Sequence, residues 1–240
     1  MGKLMNVRQV AAQIFIEIKG LLEEWRECIG DVEDSFVAFI WGDSANGKTS
    51  FIAQLLKELS KVGGSILYLS YEEGHGKTVK KAIDKNGLLD LNLQYLDHAT
   101  YEELLERLKK KKSAKIVVID SWQYCRFTLA QYQELKRLFV MGKGNSRRKI
   151  FLIISHASGK EPLGRVAQSI RYDANIKIFV KGFIAFIESR YGSVKNFIIW
   201  EQRAKSFWGK SFWRNVYKLK SDKEIKAMMK TEGKQLEVEL

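Results

Sequence analysis

The sequence predicts an α/β fold with a mostly parallel β-sheet that is flanked by helices. Four short apolar runs have the composition of strands buried on both faces, and they span residues 36–41, 65–70, 115–120 and 149–155. Apolar residues with helical spacing lie between these runs, at 49–59, 101–112 and 129–141. Strands that alternate with helices indicate parallel pairing, and ligands then bind beyond the carboxyl ends of the strands.

The same pattern divides the chain into three regions. These are an N-terminal helical segment, an α/β core and a basic, aromatic C-terminal tail, at residues 1–34, 35–200 and 201–240. The N-terminal region is predicted to be helical because apolar residues recur with helical spacing over 5–27. Late in the core, two further apolar runs, Asn175 to Val180 and Phe183 to Ile187, are predicted to form a hairpin or a strand pair.

The charge of the chain favours a polyanionic partner. Among 240 residues, Lys and Arg total 41 and Asp and Glu total 28, which gives a net charge of +13. Such a surplus favours nucleic acid, or less often an anionic membrane face; the alternative is a basic surface that serves only solubility. With 45% hydrophobic residues, the chain is predicted to bury a core and not to be disordered.

Cysteine content and hydropathy predict a cytoplasmic protein without a membrane partner. Cys28 and Cys125 are the two cysteines, and their spacing forms neither a CxxC pair nor a zinc site. The sequence shows no signal-peptide pattern and no apolar run long enough to span a bilayer.

A phosphate-binding motif lies between the first apolar run and the following helix. Residues 42–49 match the pattern G-x-x-x-x-G-K-[ST] at every fixed position. The glycines let consecutive backbone N–H groups turn toward one anion, and the helix N-terminus adds free N–H groups. Lys48 is predicted to contact the β- and γ-phosphates of ATP, and the Thr49 hydroxyl to bind Mg²⁺. The predicted ATP-binding residues are Gly42, Asp43, Ser44, Ala45, Asn46, Gly47, Lys48, Thr49 and Ser50.

Polar side chains follow the other predicted strands. Asp120 ends the third run and is predicted to hold a magnesium-bound water beside Thr49, although an Asp in this place can also cap a helix. Glu72 and Glu73 follow the second run, where a carboxylate could deprotonate an attacking water or simply lie in a solvated turn. His156 ends the fourth run and is either a polar contact of the γ-phosphate or a structural histidine.

Together these motifs resemble the RecA superfamily, in particular its RadA and DnaB-like branch, over roughly residues 35–200. The resemblance implies a RecA-like P-loop NTPase core, with Glu72 as the catalytic glutamate and Glu73 as its alternative. It also implies that His156 senses the γ-phosphate. The combination is similar to compact ATPases of phages and mobile elements, which implies a bacterial or phage-infected cell.

The segment Ser189-Arg190-Tyr191-Gly192 resembles a short basic motif of this family, in which an Arg reaches the ATP of the neighbouring subunit. The resemblance therefore implies a homo-oligomer, as a ring or a filament, with Arg190 catalytic in trans. Glu188 stands where family members often have a Lys.

Two segments are candidates for contact with single-stranded DNA. The resemblance implies a DNA-binding loop over Ala157 to Asp173, and its predicted nucleic-acid contacts are Lys160, Arg165 and Arg171. The segment from Arg203 to Lys220 interleaves cations with aromatic residues. Those rings could stack on bases, or they could pack on the core while the cations face water.

The sequence thus favours an ATP-hydrolysing, RecA-like motor or a recombination or replication ATPase that acts on single-stranded DNA. A replication or recombination protein is a candidate further partner. Two alternatives stay open: a nucleotide-gated protein-binding or loader module with slow turnover, and a P-loop phosphotransferase. The second-strand glutamates suit activation of water and so favour hydrolysis over phosphotransfer.

Overall fold

A nine-stranded mixed β-sheet forms the centre of the computed structural model, which describes residues 4–61, 63–142, 148–218 and 224. The strands are β1 Val37–Gly42, β2 Ile66–Ser70, β3 Leu93–Leu96, β4 Ile116–Asp120, β5 Ile150–Ser158, β6 Glu161–Pro162, β7 Ile176–Lys181, β8 Ile184–Ser189 and β9 Phe197–Ile198. Their order across the sheet is β3-β2-β4-β5-β1-β7-β8-β9, and β6 pairs with β5.

The predicted α/β fold with a mostly parallel sheet is confirmed. The four predicted buried strands correspond to β1, β2, β4 and β5, and all the pairs among these strands and their neighbours β3 and β7 are parallel. The two late apolar runs form the antiparallel hairpin β7–β8. Strand β3 was not predicted, because it is a four-residue strand at the sheet edge, with three residues half-buried and one exposed, and so lacks the pattern of a buried strand.

Within the described residues, six helices lie between strands along the chain, two precede β1 and two follow β9. They are α1 Val7–Ala11, α2 Glu23–Ile29, α3 Lys48–Ser60, α4 Lys77–Asn86, α5 Tyr101–Lys109, α6 Trp122–Cys125, α7 Leu129–Phe139, α8 Arg165–Asp173, α9 Glu201–Trp208 and α10 Phe212–Val216. The three helices predicted between the strands are confirmed as α3, α5 and α7.

The helix predicted over residues 5–27 is wrong in its central part. Two short helices, α1 and α2, flank an extended segment in which Glu17 forms an antiparallel bridge with Glu33. The N–H of Ile18 donates to the Val32 carbonyl at 2.9 Å. Apolar residues at 14, 16 and 18 alternate with a period of two, which is the spacing of a strand. Gly20 then takes a positive φ of 85°, which ends any helix there.

Two apolar cores cover the two faces of the sheet. Successive residues of β1 alternate between them: Ala38 and Ile40 face the core with α2 and α3, whereas Phe39 and Trp41 face the core with α5, α6, α7 and α8. Because both faces are covered, β1 is buried along its whole length. The loops at the carboxyl ends of the parallel strands are therefore held on a rigid edge.

The C-terminal helices pack against β8. Ile184 of β8 forms a small third core with Ala204, Phe212 and Val216 of α9 and α10. Trp208 packs against this core, whereas Phe207 is 53% exposed. Of the two predictions for the aromatic tail, packing on the core therefore holds for several of its rings. The tail residues 219–223 and 225–240 lie outside the described part of the chain.

Candidate nucleotide-binding site

The predicted phosphate loop lies between β1 and α3, as its motif requires. Gly42 ends β1 where the strand comes close to β7: a Cβ atom on Gly42 would lie 2.2 Å from the Val180 carbonyl oxygen. Gly47 caps α3 with a φ of 101°, in the left-handed region that favours glycine. The two glycines of the motif are thus required for different reasons, one by packing and the other by backbone conformation.

Asn46 anchors the loop to the turn of the β7–β8 hairpin. Its side-chain oxygen accepts a hydrogen bond of 2.7 Å from the Gly182 N–H, and its carbonyl accepts one of 3.2 Å from the Phe183 N–H. Asn46 was predicted as an ATP-binding residue. In the structure its side chain contacts protein, and the surrounding cavity is lined by Ser44, Ala45, Gly47, Lys48, Thr49 and Ser50.

Lys48 lies against the loop that carries it. Its ammonium donates to the Gly42 and Asp43 carbonyls at 2.6 and 2.9 Å. Burial lowers the pKa of Lys48, and the carboxylates of Asp120, Glu72 and Asp43 oppose this shift. The cation therefore lies within an acidic cluster, although Asp43 itself is exposed and does not line the cavity.

Asp120 lies at the end of β4, as predicted, and it lines the cavity with Thr49. Its Oδ2 atom accepts a hydrogen bond of 2.5 Å from the Tyr68 hydroxyl on the neighbouring strand β2. Burial raises the pKa of Asp120 to about 6, with further increases from Glu72 and Glu73, while Tyr68 and Lys48 lower it. Tyr68 was missed from the sequence because a strand tyrosine carries no signal for this contact.

Glu72, Glu73 and His156 all line the same cavity. The Oε2 atom of Glu72 lies 3.1 Å from Nε2 of His156, which connects the turn after β2 to strand β5. The N–H of His156 donates to the side chain of Gln123, which also donates to the Ser155 hydroxyl. The contact with His156 orients the Glu72 carboxylate, whereas the Glu73 side chain makes no such contact within the described residues.

Two cations and two aromatic residues of the cavity were not predicted. Lys85 of α4 and Arg203 of α9 line it, together with Phe183 and Trp200. The Arg203 guanidinium lies 4.3 Å from the Trp200 ring centroid and 5.3 Å from that of Phe183. Among the residues that the structure describes, Lys48 is therefore one of three cationic side chains that line this cavity. Residues so distant in sequence meet because the chain returns through β9 to the phosphate loop.

The cavity has a volume of about 380 Å³. Its donors fit a nucleotide phosphate chain: a backbone loop ahead of a helix N-terminus, the Lys48 ammonium, and the side chains of Lys85 and Arg203. Thr49 and Asp120 fit Mg²⁺, which is commonly bound by one or two protein oxygens together with substrate phosphates. Within the described residues, no three His, Cys, Asp or Glu side chains cluster as ligands for a metal held by protein alone.

Arg190 lies at the opposite ends of the strands from the phosphate loop. Because β8 runs antiparallel to β7, Ser189 pairs with Ile176 at the start of β7, and the Arg190 N–H donates to the Asn175 carbonyl. One six-residue strand, about 20 Å, separates this position from the hairpin turn at Gly182. Arg190 is exposed and is not brought together with the phosphate loop of its own chain.

The predicted DNA-binding loop at 157–173 is wrong as a loop. Strand β5 continues to Ser158, pairs with β6, and is followed by α8, whose cap is Gly164. The Arg171 guanidinium pairs with Glu161 and stacks on Trp41 and Tyr172. These contacts hold Arg171 in place, because its side chain is only 17% exposed.

Lys160 and Arg165, the other predicted DNA contacts in this segment, are exposed. Neither of them lines the nucleotide cavity.

In the part of the chain that the structure describes, no helix is both long and apolar enough to cross a membrane.

Comparison with known proteins gives one informative similarity. No protein-family model matches the chain. The chain is 25% identical over 125 residues to the protein RecA of Roseiflexus sp. (strain RS-1). This match covers 50% of the chain and 35% of that RecA, so the chain spans about a third of the length of the relative. The similarity is consistent with a RecA-like α/β core and does not extend to the RadA and DnaB-like branch in particular.

Proposed function

We propose that this protein is a RecA-like ATPase that binds Mg²⁺ and ATP at residues 42–49, hydrolyses the ATP and acts on single-stranded DNA. One observation carries the ATPase assignment. The phosphate loop, the end of β4 and the end of β2 bring Lys48, Asp120 and Glu72 into one cavity. This is the set of a phosphate cation, a metal-side carboxylate and a base that hydrolysis requires.

Glu72 is the proposed general base. It would accept a proton from the attacking water while the bond between the terminal phosphoryl group and its leaving oxygen breaks. Its contact with His156 supports this choice over Glu73, because it fixes the carboxylate at the cavity wall. His156 is then a positioning residue that can also respond to the terminal phosphate.

Lys48 and Arg203 would balance charge on the phosphates from within one chain, and Thr49 with Asp120 would hold Mg²⁺. The bound metal ion supplies further charge neutralisation at the phosphates. Arg190, being remote from its own cavity, can contribute to catalysis only across a contact between subunits. The proposal therefore includes a homo-oligomer, as a ring or a filament.

The decisive experiment measures ATP binding and turnover of purified Lys48→Ala with and without single-stranded DNA. We expect turnover to be lost and nucleotide affinity to fall strongly. Lys57→Ala is the matched control, because Lys57 is an exposed lysine of the same helix α3. Turnover of a folded Lys48→Ala protein at the parental rate would refute the assignment.

A second pair of variants identifies the base. Glu72→Gln should bind ATP and lose about a hundredfold or more in turnover, the usual effect of removing a general base. Loss in Glu73→Gln with a normal Glu72→Gln would transfer the role to Glu73. If the parent binds ATP but does not hydrolyse it, the result supports the alternative of a nucleotide-gated protein-binding or loader module.

A further inference from the structure

A second, larger cavity lies on the face of the sheet that α8 covers only in part. It is a groove of about 740 Å³ with β7 and β8 as its floor. Arg171 of α8 lines one side, and Trp208 of α9 with Lys218 after α10 lines the other. We refer to it as the hairpin groove. It is separate from the nucleotide cavity, because the two share no lining residue.

A row of aromatic rings crosses this groove. The ring centroids of Trp41 and Phe179 are 5.5 Å apart, those of Phe179 and Phe186 are 6.3 Å apart, and those of Phe186 and Trp208 are 5.6 Å apart. Phe179 and Phe186 are cross-strand partners on β7 and β8, and both are half-buried. The floor of the groove therefore offers ring surface that is packed from below and open to the groove.

Cations border the aromatic row. Along β7, buried Ile176, Ile178 and Val180 alternate with half-buried residues that line the groove, namely Lys177, Phe179 and Lys181. The strand thus places a cation on either side of the ring of Phe179. Lys160, an exposed residue of the β5–β6 turn, lines the groove as well.

The balance of charge in the groove is positive. Five cationic side chains line it, against the carboxylates of Glu161 and Glu188. Glu161 pairs with Arg171, and Glu188 is 3.9 Å from Lys177. The Lys218 ammonium donates to the Ile187 carbonyl and to Ser193. No ion pair is described for Lys160 or Lys181, so their charges remain available to a ligand.

We infer that the hairpin groove binds single-stranded nucleic acid, with bases stacked on Phe179 and Phe186 and phosphates beside Lys160, Lys177 and Lys181. Aromatic rings interleaved with cations fit a strand whose bases are unpaired, because each base has a face for stacking and each nucleotide carries one negative charge. A duplex would hide the base faces. This inference rests on the proposed function, since it names the surface that receives the strand.

The test uses the full chain and labelled oligomers of thymidine and of uridine, with binding followed by fluorescence anisotropy across salt concentrations. The double variant Phe179→Leu/Phe186→Leu keeps apolar packing and removes the rings. Stacking energies in such sites imply a loss of affinity of about tenfold or more. Phe15→Ala is the control, because Phe15 is an exposed aromatic residue outside the groove.

A charge variant tests the border of the groove independently. Lys177→Gln/Lys181→Gln should weaken binding and reduce the slope of log affinity against log salt by about 1.4, which corresponds to two phosphate contacts of a single strand. Lys110→Gln is the control, an exposed lysine at the end of α5. ATP binding should be unchanged in every groove variant, which checks that each protein is folded.

The outcomes separate the groove from the proposed function. Weakened binding in both double variants, with normal controls, supports the groove, and the two oligomers show whether it prefers DNA or RNA. If the parent binds the oligomers and the groove variants bind them equally well, the groove is not the binding surface, and the proposed activity on DNA is unaffected. A parent that binds neither oligomer at about 50 mM salt overturns both. Groove variants that alter only the sedimenting mass would assign the groove to contact between copies of the chain.

Discussion

Tyr68 and Asp120 form a short contact that controls ionisation at the proposed metal site. Burial raises the pKa of Asp120 to about 6, and the hydrogen bond from Tyr68 lowers it because the hydroxyl donates to the charged form. A carboxylate must be deprotonated to bind a metal ion. The pH below which activity is lost should therefore depend on Tyr68, although Tyr68 does not line the nucleotide cavity.

We expect ATP turnover of the parent to decline as pH falls through about 6, the pKa of Asp120. In Tyr68→Phe the decline should begin at a higher pH, because the stabilising hydrogen bond to the carboxylate is lost. The measurement is kcat/KM against pH at a Mg²⁺ concentration below saturation, where protons and the metal ion compete for the carboxylate. Tyr95→Phe is the control, since the Tyr95 ring lies 4.8 Å from that of Tyr68 and no hydrogen bond to Asp120 is described for it. Coincident profiles for Tyr68→Phe and the parent would contradict this role.

The same carboxylate should reduce folding stability at neutral pH. Its folded pKa of about 6 exceeds the reference value of 3.8, so the folded state binds more protons between these values and the free energy of unfolding falls as pH rises through that window. Asp120→Asn removes the buried charge. We expect this variant to be more stable than the parent at pH about 7.5, by up to about 2–3 kcal/mol.

Urea unfolding without nucleotide measures the effect, and the difference between Asp120→Asn and the parent should shrink toward pH about 4. A variant that is less stable than the parent at neutral pH would mean that Lys48 and Tyr68 stabilise the charged form by more than burial destabilises it.

At the scale of elements, the close approach of β1 and β7 positions the start of the phosphate loop. A Cβ atom at residue 42 would overlap the Val180 carbonyl, which lies on a strand that packs on both sides and cannot easily move. Gly42→Ala should therefore destabilise the fold by about 1–3 kcal/mol, the usual effect of overpacking, and weaken ATP binding.

Thermal unfolding with and without Mg·ATP measures both effects. Gly76→Ala is the comparison: Gly76 has an ordinary φ of −70°, and a Cβ there would meet backbone at 3.2 Å, a contact that needs only a small adjustment. Equal stability of Gly42→Ala and the parent would show that β7 can shift to accommodate the added methyl group.

Sequence reasoning located the core strands and the phosphate loop because each depends on a local pattern of neighbouring residues. It missed Arg203 and Trp200, since their place in the cavity depends on how β9 and α9 return across the hairpin. It also missed α8. Residues 157–173 were interpreted as a DNA-binding loop, whereas Gly164 caps a helix whose Ala167 and Ile170 are buried. Long-range packing decided these cases, and no local signal encodes it.

At the scale of the whole molecule, the distance between Arg190 and its own phosphate loop allows a sharp test of assembly. We expect Arg190→Ala to bind ATP normally and to turn over slowly, because an Arg supplied in trans contributes on the order of a thousandfold in rate in other P-loop enzymes. Mixing it with Lys48→Ala should restore some activity, since one subunit then supplies the cavity and the other supplies the Arg.

Sedimentation across protein concentration accompanies the mixing experiment. Activity per molecule should rise with concentration as copies associate. Arg203→Ala is the comparison: Arg203, like Lys48, belongs to the cavity of its own chain, so a mixture of Arg203→Ala with Lys48→Ala should regain no activity, because neither subunit has an intact cavity. A fully active monomer, or an Arg190→Ala protein as fast as the parent, would remove the trans mechanism and leave the ATPase assignment intact.

The turn between β7 and β8 touches both cavities. On one side, Asn46 of the phosphate loop accepts the Gly182 N–H, and on the other, the Gly182 carbonyl accepts the indole N–H of Trp208 in the hairpin groove. A shift of the phosphate loop would therefore reach the aromatic row through one glycine. Linkage between two ligands is reciprocal: if ATP changes the affinity for a strand by some factor, the strand changes the affinity for ATP by that same factor. Gly182 would then make each ligand the allosteric effector of the other.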